Sequence, residues 1–163
     1  QWRWARAHDS IDIMGEGGAL ATRKSGAWCM SAVCGEVLQA EGEAYAEFTW
    51  VSGGGLMVGV ARAGVDPSSV GGLLYTADGW MYSCDDGGHY HGYSSTPWAS
   101  GEPQGIGPGG TVGLLLRRGS LSVHIGGRQV GVMCTGLSGA LVWAADLGNY
   151  GSSVRIARTP PPA

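Results

Sequence analysis

The sequence predicts an all-β protein, a sandwich of two antiparallel sheets, and three observations carry that prediction. The first is alternation. Leu121, Val123 and Ile125 alternate with Ser120, Ser122 and His124, the period of a half-buried strand, in which successive side chains point to opposite faces. The second is glycine, which makes up 31 of the 163 residues against a usual share of about 7%. These glycines follow no triplet period, which excludes collagen, and they suit many tight turns. The third is cadence: short apolar runs recur throughout the chain, separated by glycine-rich and polar turns.

Each element has its own signal. Trp2 and Trp4 flank Arg3 and suggest an opening edge strand, and Ser10 to Ile13 alternates again. Glu16-Gly17-Gly18 reads as a turn before a strand at Ala19 to Thr22, and Ala27 to Val33 reads as a strand around Trp28. Gly35 to Phe48 is ambiguous, because Glu36 to Glu41 holds good helix formers. Gly42 interrupts that stretch, so a loop and then a strand from about Ala44 to Val51 are expected. Leu56 to Ala61 is apolar throughout, as in a central buried strand. Leu73 to Tyr75, Gly79 to Ser83 and Tyr90 to Gly92 are further short strands. Tyr93 to Gly110, with Pro97, Pro103 and Pro108, reads as a long surface loop. Thr111 to Leu116 ends at the turn Arg117-Arg118-Gly119. Gly126-Gly127 can take the positive φ angles of a two-residue hairpin turn. Ala140 to Leu147, with Trp143, and Ser153 to Ala157 complete the set.

Composition narrows the function classes. The formal net charge is −3 and cations pair only at Arg23-Lys24 and Arg117-Arg118, so nucleic acid is disfavoured as the partner. No apolar run approaches the roughly 18 residues of a membrane span. Cys29, Cys34, Cys84 and Cys134 are scattered. They read as free thiols in a reducing, intracellular compartment, with a Cys29–Cys34 disulfide as the alternative. Thr159 to Ala163 is proline-rich. It reads as the start of a linker after a domain of residues 1–158, and so as part of a longer protein.

Seven segments, in order, point to a family. They are Tyr45-Ala46-Glu47-Phe48, Val58-Gly59-Val60-Ala61, Gly79-Trp80-Met81-Tyr82, Tyr90-His91-Gly92, Val112 to Leu116, Gly119 to Val123, and Val154-Arg155-Ile156. Their order and spacing resemble the SPRY domain, the core of the B30.2 family, from about Trp4 to Ile156. The resemblance implies a bent, concanavalin A-like sandwich of jelly-roll type. It also implies a noncatalytic module that binds a peptide or a folded protein through its loops, with a glycan-binding lectin as the alternative. No cofactor is implied.

The catalytic and metal patterns are weak. Glucanases of related shape place carboxylates at alternate positions of one strand; here those positions are Ser10, Asp12 and Met14. Cys84, Asp85, Asp86, His89 and His91 could ligate zinc, with both histidines on one strand face, but Asp85 to Gly88 is ordinary turn chemistry. No nucleophile-elbow pattern precedes a helix. Among the tryptophans, Trp28, Trp50, Trp80 and Trp143 lie in strand-like runs and read as core. Trp98 lies in a loop and is the expected exposed contact.

The resemblance also places a binding surface on separated loops. Laid on this chain they are Arg23-Lys24-Ser25-Gly26, Gly53 to Gly55, Ser69-Val70 and Gly148-Asn149-Tyr150. Gly54, Val70 and Asn149 stand where the family's peptide-binding members have threonine, tyrosine and tryptophan, so their asparagine-rich peptide is not the expected ligand. Arg23, Lys24, Asn149 and Tyr150 are the expected contacts, with the Trp98 loop next.

Overall fold

The computed structural model describes residues 1–26, 28–68 and 71–162. Its strands, in chain order, are β1 (Trp4–Ala7), β2 (Ile11–Met14), β3 (Leu20–Arg23), β4 (Met30–Cys34), β5 (Leu38–Gln39), β6 (Glu43–Ser52), β7 (Leu56–Arg62) and β8 (Gly79–Ser83). They continue with β9 (His89–His91), β10 (Ser94–Thr96), β11 (Ser100–Gly101), β12 (Thr111–Arg117), β13 (Ser120–Ile125), β14 (Arg128–Cys134), β15 (Ala140–Leu147) and β16 (Ser153–Ala157). They form two eight-stranded antiparallel sheets. Sheet A runs β1-β4-β15-β7-β8-β9-β10, with β5 paired to the end of β15, and sheet B runs β11-β14-β13-β12-β6-β16-β3-β2.

The core fills the space between the sheets. Phe48, Trp50, Leu114, Leu116, Leu121, Val123 and Met133 from sheet B meet Val58, Val60, Tyr82 and Trp143 from sheet A. The Trp143 ring stands edge-on to Phe48 and Trp2, at 5.8 and 6.2 Å between centroids. Such pairs add about 0.5–1.5 kcal/mol each beyond area burial. The Trp2 indole N–H donates to the Tyr45 carbonyl at 2.8 Å, locking the chain start onto β6.

A second, smaller cluster lies on the outer face of sheet A. Val33, Ala61, Met81, Val142 and Ala144 meet Val65, Leu73 and Leu74 from the segment joining β7 to β8. β15 and β7 are therefore covered on both faces over much of their length, which is why they read as unbroken apolar runs.

Several expectations change. Leu73–Tyr75 is a 3-10 turn, not a strand; its leucines are apolar because they cap the outer face of sheet A. The strand expected at Ala27 to Val33 starts only at Met30, and Trp28 lies in a loop, 79% exposed. The long loop from Tyr93 to Gly110 contains β10 and β11. The polar face of β13 is also covered: Ser122 and His124 are buried, and the Tyr45 ring stands edge-on to His124 at 6.0 Å. The Gly126-Gly127 hairpin is as expected, with φ of 62° and 78° and Ile125 opposite Arg128.

Candidate partner-binding site

A pocket of about 350 Å³ opens on the outer face of sheet A, beside the 3-10 turn that carries Leu74 and Tyr75. Its floor is a row of three cross-strand neighbours, Asp146 on β15, Met57 on β7 and Ser83 on β8. Tyr90 on β9 continues the floor. Antiparallel pairing brings these four together from distant parts of the chain.

The walls are loops. Gly55 enters from the turn before β7, Leu56 from the first position of β7, and Cys29 from the loop before β4. Leu74 and Tyr75 come from the 3-10 turn, Asp85 from the turn after β8, and Tyr93 from the β9–β10 hairpin. Gly72 has a φ of 102° and backs onto Cys29; a Cβ there would lie 3.1 Å from the Cys29 Cβ. Only glycine meets both demands without strain.

Asp146 fixes the wall. It is fully buried, and its Oδ1 accepts from the Ser31 hydroxyl at 2.6 Å and the Leu73 N–H at 2.9 Å. Its Oδ2 accepts from the Leu74 N–H at 2.8 Å. Burial pushes this carboxyl above the usual range, against the pull of the three donors. One side chain thus pins the 3-10 turn, and with it Tyr75, to the centre of sheet A.

Tyr93 is held in an uncommon way. His91 pairs with Ser94, so Gly92 and Tyr93 form a two-residue turn, with φ of 63° and 71°. Positive φ at both positions is the geometry that suits Asn-Gly pairs. Here it carries a bulky aromatic, 80% exposed, with its ring 6.0 Å from that of Tyr75.

The expected binding loops are partly assembled at the pocket's edge. The Tyr150 N–H donates to the Gly26 carbonyl at 3.1 Å, and the Ser152 hydroxyl donates to the Gly54 carbonyl. Gly53 to Gly55, Arg23 to Gly26 and Gly148 to Tyr150 therefore lie together. Ser69 and Val70 lie outside the described residues. Lys24 pairs with Asp12 at 3.1 Å, Ser25 is exposed, and Tyr150 is 72% exposed.

Arg23 is a correction. It is 2% exposed; its Nε donates to the Ser25 carbonyl at 2.6 Å and its Nη1 to the Leu147 carbonyl at 2.7 Å and to the Trp28 carbonyl. The guanidinium ties loops together. Trp98 is the second. It is half-buried against Tyr82, with its indole N–H on the Gly87 carbonyl at 2.8 Å, so it supports the β8–β9 turn. Nothing in the sequence pattern singled out Tyr75, Tyr90 or Tyr93 as pocket residues. The one available signal was Gly92-Tyr93 standing between two three-residue polar runs, the length of a tight hairpin turn.

Reactive groups are withdrawn from the site. Burial pushes the Cys29 thiol up to about 11, so it stays protonated at neutral pH. His91 is stacked on Trp80 at 4.5 Å with its Nδ1 on the Gly79 carbonyl, and His89 is buried. Among the described residues no group of three or more metal-ligating side chains converges, and no helix is long and apolar enough to cross a membrane.

Two bent antiparallel sheets joined in this order define the SPRY fold, and the chain has it. The SPRY domain of human HERC1 superposes with a TM-score of 0.78 at 18% identity, over 98% of each chain. The TRIM65 PSpry domain does so with 0.70 at 13% identity, over 97% of this chain and 92% of that one. A further human SPRY domain gives 0.68 at 18% identity, over 91% and 94%. No protein-family model and no curated protein matches the sequence.

Proposed function

We propose that the domain is a noncatalytic interaction module, and that it binds a polypeptide in the pocket on sheet A and the loops around it. One observation carries this reading. Four large aromatic residues, Trp28, Tyr75, Tyr93 and Tyr150, are 79%, 44%, 80% and 72% exposed; Tyr75 and Tyr93 line the pocket, Trp28 precedes its wall residue Cys29, and Tyr150 follows Gly148, whose N–H bonds the wall residue Gly55. Exposed tyrosine and tryptophan around a concave site are the usual makings of an interaction hot spot. The same fold in the SPRY domains of HERC1 and TRIM65 agrees with it. Four unpaired cysteines suit a reducing, intracellular setting.

The test compares the wild type with a Tyr75→Ser, Tyr150→Ser double variant in affinity capture, each checked by thermal melting. The reading expects proteins held by the wild type and lost by a variant that melts normally. A glycan array run beside it decides the alternative. Strong glycan binding with no pocket-dependent protein partner would replace the module by a lectin, whose sugars would stack on the same tyrosines.

A further inference from the structure

We propose that the pocket takes a cationic side chain, a lysine or an arginine, presented by the bound polypeptide. The inference rests on the pocket being the binding site and adds the chemistry it selects. The lining holds two carboxylates, Asp85 and Asp146, and no lysine, arginine or histidine. It also holds three tyrosines, Tyr75, Tyr90 and Tyr93. An aromatic face is the negative end of the ring quadrupole, so rings grouped around a cavity attract a cation, more strongly once water is excluded.

The two carboxylates have different duties. Asp146 is spent on Ser31, Leu73 and Leu74. Asp85 is exposed in the turn after β8 and belongs to none of the ion pairs among the described residues. Its neighbour Asp86 accepts the Gly88 N–H at 2.8 Å and shapes that turn. Asp85 is therefore the charge left at the rim to meet a ligand cation.

Tyr93 supplies an independent pointer. A tyrosine at a φ of 71° occupies a position that glycine or asparagine fills at lower cost. Backbone strain of this kind gathers at ligand clamps. Here it holds an exposed ring beside Tyr75 at the mouth of the pocket.

The test is panning of random displayed heptapeptides against the domain, followed by calorimetry on the synthetic winners. The expected result is enrichment of peptides with one obligatory lysine or arginine. Replacing that residue by citrulline or norleucine should weaken binding about tenfold, as should Asp85→Asn, and added salt should weaken wild-type binding more than that of Asp85→Asn. Asp85 is exposed, so a normal melting curve for Asp85→Asn excludes misfolding. Winners that need Tyr75 and Tyr93 but carry no cation overturn the inference and leave the pocket as the binding site. Winners indifferent to Tyr75→Ala and Tyr93→Ala, or no winners, overturn both.

Discussion

Tyr93→Asn should make the domain more stable and a worse binder. The turn Gly92-Tyr93 needs positive φ at both residues. A residue with a Cβ loses roughly 1–2 kcal/mol in the left-handed region, and asparagine recovers part of this because its short amide bonds locally. The tyrosine gives little back. It is 80% exposed, and its ring makes a tilted approach to Tyr75 at 6.0 Å, worth about 0.5 kcal/mol at such exposure. The net expectation is a gain of about 0.5–1 kcal/mol, or an increase of roughly 1–4 °C in melting temperature for a domain of this size. Urea and thermal melts measure it, and binding of a pocket-dependent peptide is measured on the same samples. A lower melting temperature would show that the ring is held by packing and not by function. Higher stability with undiminished binding would remove Tyr93 from the binding surface.

Three further outcomes are expected. His89 is 3% exposed, and burial lowers it to about 4. The fold thus favours neutral imidazole: the stability is fully present above an unfolded value of about 6.5 and lost as pH falls toward about 4, by at most roughly 3 kcal/mol. His124, also lowered by burial, acts with the same sign, so His89→Leu should flatten the acid limb of a pH–stability curve without abolishing it. Asp146→Ala should cost about 3 kcal/mol or more, because it leaves two buried N–H groups without an acceptor. Hydrogen exchange at Leu73 and Leu74 should accelerate most, and uniform acceleration would mean a general loss of stability instead. Arg23→Ala should destabilise by about 2–4 kcal/mol, since three carbonyls lose their shared donor. An unchanged urea midpoint would show that water replaces the guanidinium.

Local signals fared best in the sequence. Alternation in β13 and the Gly126-Gly127 pair depend on neighbours along the chain, and both are readable there. Leu73 and Leu74 were misread because apolar side chains look the same whether they extend a sheet or cap one. Trp28 was misread as core because an aromatic beside an apolar run shows only composition, not which way the chain leaves the strand. Arg23 was misread because its partners include Leu147, 124 residues away. The convergence of Gly53 to Gly55 with Gly148 to Tyr150 was legible only through the family resemblance. The tyrosine pocket was not legible at all, since its residues meet only through sheet pairing.

The place of β15 has a consequence for how the protein is made. It lies in the middle of sheet A, between β4 and β7, yet it leaves the ribosome after every other strand of that sheet. Until Leu147 has emerged, β4 and β7 have no common neighbour, and the meander β7-β8-β9-β10 waits with its inner edge bare. That edge is a long apolar strand able to pair with another nascent chain. Asp146 arrives at the same late moment, so Leu73 and Leu74 are tied down only then. A chain stopped before β15 has its tyrosines but lacks Asp146, the side chain that pins the 3-10 turn and its Tyr75 to the sheet, while the apolar edge of β7 stays open. One strand therefore both completes the pocket and covers the exposed edge of β7.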